Sequence, residues 1–165
     1  DVDFTFTNAS EARAKVVSFT PPLIQLELGY LVPPGSPIQS VNDVDKPGVR
    51  VGVSQGSSSQ AALGKSLTQA KLVPAASVKA AQAMLRAGEV HAFATNKAIL
   101  NEMAQGLPGF KVLDGRWGLE NLAIAVPQGR ELGMDYLRQF ARDVQSSGDL
   151  QAIIQKADLR GTVKP

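Results

Sequence analysis

Three short polar segments hold the residue types from which an anion-binding site can be built. In Asn8-Ala9-Ser10-Glu11-Ala12-Arg13 a polar strand end meets a helix start. An arginine beside a capped helix N-terminus can grip a carboxylate through two parallel N–H···O bonds. In Gly56-Ser57-Ser58-Ser59-Gln60 a glycine and hydroxyl residues follow an apolar strand and open a helix. Free backbone N–H groups and the helix dipole then face one spot. Thr95-Asn96-Lys97 ends a further apolar strand, and in open α/β sheets ligands bind outside the carboxyl ends of strands. Each segment also has a plain structural reading: a solvated Arg13 on a surface helix, Ser57 as an ordinary N-cap, and Asn96 as the N-cap of the next helix.

Other chemistry is poorly provided for. The sequence has no cysteine and one histidine, His91, so it offers no disulfide, thiolate nucleophile or histidine metal cluster. No serine sits in a G-x-S-x-G elbow. The glycine-serine segment lacks the spacing and the Lys-Ser/Thr pair of a nucleotide P-loop. No pair of carboxylates shares an apolar setting. The expectation is a protein that is not an enzyme, without catalytic residues, metal or cofactor, in which His91, beside Glu89, is structural or exposed.

The elements that must position these segments alternate. Val2, Phe4 and Phe6 against Asp3, Thr5 and Thr7 give a strand of period two over 1–7. Ser10 then caps a short helix through Glu11–Ala14. Pro21-Pro22 break the chain before a long extended run, Leu23 to Val32. From residue 48 strands and helices follow with short links: strand 49–53, helix 60–68, strand 72–73 ended by Pro74, and helix 77–87 opened by Ser77 and closed by Gly88. Strand 90–94, helix 97–105 and strand 110–113 complete the block. This is the βαβ signature of a mainly parallel sheet. A last strand, 121–126, precedes an amphipathic helix with Leu137, Phe140, Ala141 and Val144 at helical spacing, then a short helix over 150–157. The α/β block is flanked by two segments that cannot form a complete domain alone, so one lobe is inserted into another, with extended crossovers near 26–32 and 119–126.

Composition agrees with a globular chain: 165 residues, 44% hydrophobic and 19% charged. The net charge of +2 is scattered and forms no basic stripe, so nucleic acid is not an expected partner. No apolar run approaches the roughly 20 residues of a membrane span. The sequence opens at Asp1-Val2-Asp3 without a basic, apolar leader, and any signal peptide is expected to be missing or removed.

Taken together and in order, these segments resemble the bacterial periplasmic solute-binding proteins for polar amino acids, which feed ABC importers. The family's aspartate-led strand and Ser/Thr-I-T-x-x-R motif correspond to Asp1-Val2 and Asn8–Arg13, and its Phe-Ser-x-Pro-Tyr signature to Phe19-Thr20-Pro21-Pro22-Leu23. Its "DL-x-G" and "VGV-x-x-GT" patterns correspond to Asp43–Gly48 and Val51–Ser57, and "L-x-x-G-x-V-D-A" to Leu85–Ala92. Its late strand and "x-x-G-x-x-x-x-I" ending match Leu122–Val126 and Gly148–Ile153.

The resemblance implies an α/β fold of the periplasmic binding protein type 2 kind, two lobes joined by two hinge strands. Lobe one would comprise 1–31 and 121–165 and lobe two 32–120. It further implies a solute with a carboxylate, an amino acid or organic acid, bound between the lobes by Arg13 and Asn8 together with Ser57, Ser58, Thr95 and Asn96. The membrane subunits of an ABC transporter would be the partners, and the periplasm the location. Two departures stand out. An aspartate that pairs with the ligand's ammonium in amino-acid binders is replaced here by neutral Asn96, which favours an amine-free ligand. The family's N-terminal βαβ part has no counterpart, leaving lobe one incomplete, a gap that a homodimer would cover. The alternatives on the same scaffold are a cyclohexadienyl dehydratase-like enzyme and the input domain of a sensor receptor.

Overall fold

The computed structural model describes residues 5–165. In chain order its strands and helices are β1 (Thr5–Asn8), β2 (Val17–Phe19), β3 (Ile24–Val32), β4 (Arg50–Ser54), α1 (Ser58–Ser66), β5 (Lys71–Ala75), α2 (Val78–Arg86), β6 (Ala92–Asn96), α3 (Lys97–Gln105), β7 (Lys111–Val112), β8 (Gly118–Pro127), α4 (Met134–Ser147), α5 (Asp149–Lys156) and β9 (Thr162–Val163). The Val2 and Phe4 end of the expected first strand lies outside the described residues. The chain forms two compact units, Asp1–Leu26 with Leu119–Pro165, and Glu27–Gly118.

The second unit is organised by side-chain alternation. In β4, Val51 and Val53 enter one buried cluster with Ala92 and Ala94 of β6, Tyr30 and Val32 of β3, and Leu63 of α1. The intervening Phe93 and Leu31 enter a second cluster with Ala81 and Leu85 of α2 and Leu100 and Met103 of α3. The strands are therefore buried on both faces, which is why they read as near-continuous apolar runs. Gly52 is required here: a β-carbon would come within 2.7 Å of the Phe93 ring and 3.3 Å of Val90 Cγ2.

Among the described residues parallel pairing is seen in β5–β4–β6. The expectation of a mainly parallel sheet is corrected by β3, which pairs antiparallel with β6, β7 and β9, and by β8, which pairs antiparallel with β1 and β2. The alternation of strand and helix reveals the crossovers within the block but not the direction in which the long flanking strands return. Pro74 does not end β5 but lies within it, opposite Val53. With β5 at the sheet edge, the missing N–H removes no ladder bond.

In the first unit β8 lies between β1 and β2, with Ala125 level with both Thr5 and Phe19. The buried face of α4 is formed by Met134, Leu137 and Ala141, packed on Leu23, Ile124 and Val126. Phe140, expected on that face, is 44% exposed. Gly148, at φ +82°, ends α4 in the left-handed conformation that glycine adopts without cost. Thr20 is buried and fully used: its hydroxyl donates to Pro21 O (3.0 Å) and accepts from Ile124 N (3.1 Å).

One carboxylate holds the loop between α1 and β5. Asp45 accepts from the backbone N–H groups of Thr68 (2.9 Å), Gln69 (2.7 Å) and Ala70 (2.9 Å) and from the Thr68 hydroxyl (2.9 Å). These donors, led by Ala70 N–H, hold its carboxyl far below the ordinary value of 3.8. Such a group stabilises the fold above the ordinary value and loses that contribution as pH falls toward the folded one. Asp45→Asn is accordingly expected to lower the melting temperature at neutral pH. The difference from the parent protein should shrink as pH falls below 3.8. A pH series of thermal melts on the two proteins checks this.

Candidate functional site

In the first unit the polar segment is assembled by β1 and a turn. Asn8 closes β1, and its Oδ1 accepts from Asn121 N (3.0 Å), while Ala9 N donates to Asn121 O (2.7 Å). The short helix expected at 11–14 is a single 3-10 turn, Arg13–Lys15. It is too brief for a helix because Val17–Phe19 is drawn off at once into β2. Ser10 nonetheless acts as a cap: its Oγ accepts from Arg13 N (3.3 Å) and its carbonyl from Ala14 N (2.9 Å).

Arg13 is half-buried. Its Nη1 donates to Thr7 Oγ1 (2.8 Å) and Asn8 O (3.1 Å). Among the described residues the guanidinium makes no ion pair, and both of its bonds leave from that one nitrogen. Both acceptors are neutral oxygens, and the remaining N–H groups of a guanidinium suit a carboxylate.

In the second unit the register places the remaining candidates at one end. β4 and β6 are parallel neighbours, with Val53 level with Ala94. Ser54 and Thr95 are each one residue further along, and from there the chain turns into α1 and α3. Gly56 makes the first turn at φ +71°. Ser57 caps α1 through Oγ, accepting from Gln60 N (3.1 Å), and Gln60 Oε1 accepts from Gly56 N (2.7 Å). Ser58, half-buried, is the first residue of α1. Thr95 is buried and level with Gly29. Asn96 caps α3, its Oδ1 accepting from Ile99 N (3.0 Å). The capping roles read from the sequence for Ser57 and Asn96 are thus present. What the fold adds is that both caps occupy the carboxyl ends of adjacent parallel strands.

A charge cluster beside this end was not read from the sequence. Glu27 accepts from Lys97 Nζ at Oε2 (2.7 Å) and from Arg116 Nη1 at Oε1 (3.2 Å). The Lys97 bond is the main reason that its carboxyl is held below the ordinary range, against the opposing effect of burial. The lysine stem crosses Gly29, where a β-carbon would sit 3.1 Å from Lys97 Cγ. The partners are 70 and 89 residues away in sequence, so only the alternation in Leu26-Glu27-Leu28 marks Glu27 locally.

His91 is structural. Its Nδ1 accepts from Arg50 N (3.1 Å), and burial, with Arg50 nearby, lowers its pKa. Two concavities, one in each unit, lie away from the candidate residues. One of about 640 Å³ in the first unit is lined by Leu23, Ile24, Arg142, Leu150, Ile154 and Lys164. Another of about 330 Å³ in the second is lined by Pro33, Ile38, Pro47, Val49, Val90 and His91. Neither includes a candidate residue. Among the described residues no helix is long and apolar enough to cross a membrane.

No family model and no curated protein matches the sequence. The fold, in contrast, is shared with many solved structures, among them amino acid ABC transporter substrate-binding proteins. The L-cysteine solute receptor of Neisseria gonorrhoeae is similar over 91% of this chain at 25% identity, with a TM-score of 0.78. An amino acid ABC transporter substrate-binding protein from Streptococcus pneumoniae, bound to L-arginine, is similar over 92% at 20% identity and a TM-score of 0.78. A reconstructed ancestral amino-acid-binding protein, a precursor of cyclohexadienyl dehydratase, is similar over 91% at 22% identity and a TM-score of 0.77. The chain spans 61%, 65% and 64% of the length of these three proteins. The fold class is therefore α/β of the periplasmic binding protein type.

The cap at the second of the two strand ends is open to direct test. Asn96→Ala is expected to lower the unfolding free energy by about 1 kcal/mol, the usual cost of a lost N-cap. Asn96→Asp, which keeps the acceptor, should retain most of the stability. Urea unfolding of the three proteins measures both.

Proposed function

We propose that this chain is the extracytoplasmic solute-binding component of an ABC importer. It takes a small carboxylate-bearing solute, an amino acid or an organic acid, between two lobes and passes it to the importer's membrane subunits. The observation that carries the reading is the likeness, over at least nine-tenths of the chain, to substrate-binding proteins of amino acid ABC transporters. In this reading Arg13, kept in place by Thr7 and Asn8, grips the carboxylate. Ser57, Ser58, Thr95 and Asn96 supply further polar contacts from the second unit. Delivery to a membrane importer places the protein in the periplasm.

A second reading, a dehydratase on the same fold, is favoured by the neighbour that is a precursor of cyclohexadienyl dehydratase. It requires a carboxylic acid facing the bound substrate, and none of the six candidate residues is one. Loss of water from a cyclohexadienyl acid in the presence of the protein would move the assignment to that reading.

Thermal unfolding against amino acids, dicarboxylates and small aromatic acids tests the proposal. A ligand bound only by the folded state stabilises it by mass action, by about 2.7 kcal/mol at a hundredfold excess over Kd. One class of solute is expected to raise the melting temperature, and Arg13→Ala to abolish the rise. Removing one partner of a desolvated charge pair costs about 2–5 kcal/mol of affinity. A rise that survives Arg13→Ala contradicts the role given to Arg13, and no rise with any solute contradicts the proposal itself.

A further inference from the structure

We propose that the solute is a carboxylic acid without a cationic amine, a dicarboxylate foremost, because the Glu27–Lys97–Arg116 cluster leaves the second unit's share of the site with an excess of cations and no available carboxylate. The inference rests on the solute-binding reading and narrows its ligand.

The second unit contains nine lysines and arginines against six carboxylates, a net +3. All six carboxylates are described. Asp43 and Asp45 precede β4, and Glu89 precedes β6, so they lie toward the opposite ends of these strands from Ser57 and Thr95. Asp43 is engaged by Lys46 (2.7 Å) and Ser40, and Asp45 by the 68–70 loop. Glu102 and Asp114 are exposed, where water screens a charge.

Glu27 is the carboxylate beside Asn96. Its neighbour Leu28 is level with Asn96, and its partner Lys97 directly follows Asn96. Each of its oxygens already receives a cationic donor. The cluster sums to +1, one carboxylate against two cations.

An ammonium arriving there meets that surplus charge and must displace Lys97 or Arg116 to reach a carboxylate. A second carboxylate on the solute meets the same surplus as an attraction. Asn96 adds no charge, and its Oδ1 is committed to Ile99 N. A unit charge about 10 Å from such a surplus changes affinity roughly tenfold at a protein surface.

The test uses the unaltered protein and matched pairs that differ in the amine: succinate with aspartate, glutarate with glutamate, propionate with alanine. Titration calorimetry is expected to give tighter binding to an amine-free member, by roughly tenfold or more, with a dicarboxylate ahead of propionate. Glu27→Gln, which lifts the surplus to two cations, is expected to widen the gap within that pair. An amino acid that binds as tightly as its amine-free partner overturns this inference and leaves the solute-binding reading standing. No binding by any member, with the protein folded by circular dichroism, overturns both. If Glu27→Gln does not fold, the comparison on the parent protein still decides.

Discussion

Phe93 lies so close to the backbone of Gly52 that a β-carbon there would come within 2.7 Å of the ring. That contact fixes how β4 and β6 meet, and with it the burial of both strands on both faces. Val51, Val53, Ala92 and Ala94 fill one cluster and Phe93 the other. Strands enclosed in this way can present no polar group along their length without a desolvation cost. Polar chemistry is therefore driven to their ends. At the carboxyl ends the chain turns directly into α1 and α3, whose first N–H groups need acceptors. Ser57 and Asn96 answer that need. A constraint of packing thus brings two capped helix starts to one edge of the unit.

The charges near the candidate positions are managed in two different ways. Glu27 sits between buried leucines of β3 and is satisfied by cations brought from α3 and from the segment before β8. A carboxylate in such a place would otherwise carry the penalty of partial burial, which is visible as the effect opposing its lowered pKa. Arg13 is held instead by a hydroxyl and a carbonyl, both neutral. The first arrangement consumes its charges internally apart from one surplus cation. The second orients a cation and leaves its charge uncompensated among the described residues. Each arrangement leaves positive charge beside candidate residues of its own unit.

Much of this was legible in the sequence because the signals are local. Continuous extended and apolar runs marked β3, β4 and β6, and Ser77 and Gly88 bracketed α2 as expected. Gly148 likewise marked the end of α4. What escaped depends on distant partners. The antiparallel return of β3 beside β6, the two-residue β9 against β3, and the Glu27 cluster join residues far apart in the chain. Pro74 reads as a breaker by type, and only the position of β5 at a sheet edge makes it harmless. Phe140 has the helical spacing of a core residue, yet the α4 face that packs is centred on Leu137 and Ala141. For the site, the residue types that could bind an anion were visible. The capping geometry of Ser57 and Asn96 was visible as well, while the charge that surrounds Asn96 was not.

The central claim is that one small acid engages Arg13 and the two strand-end segments at once. Amide chemical-shift mapping on isotopically labelled protein, titrated with the tightest-binding acid, tests it most directly. The account predicts saturable shifts at 8–13, 56–58 and 95–97 that follow a single binding curve, together with a shift of the Arg13 side-chain Nε–H. Shifts that stay within one unit, or that scatter over surface lysines without saturating, would contradict it.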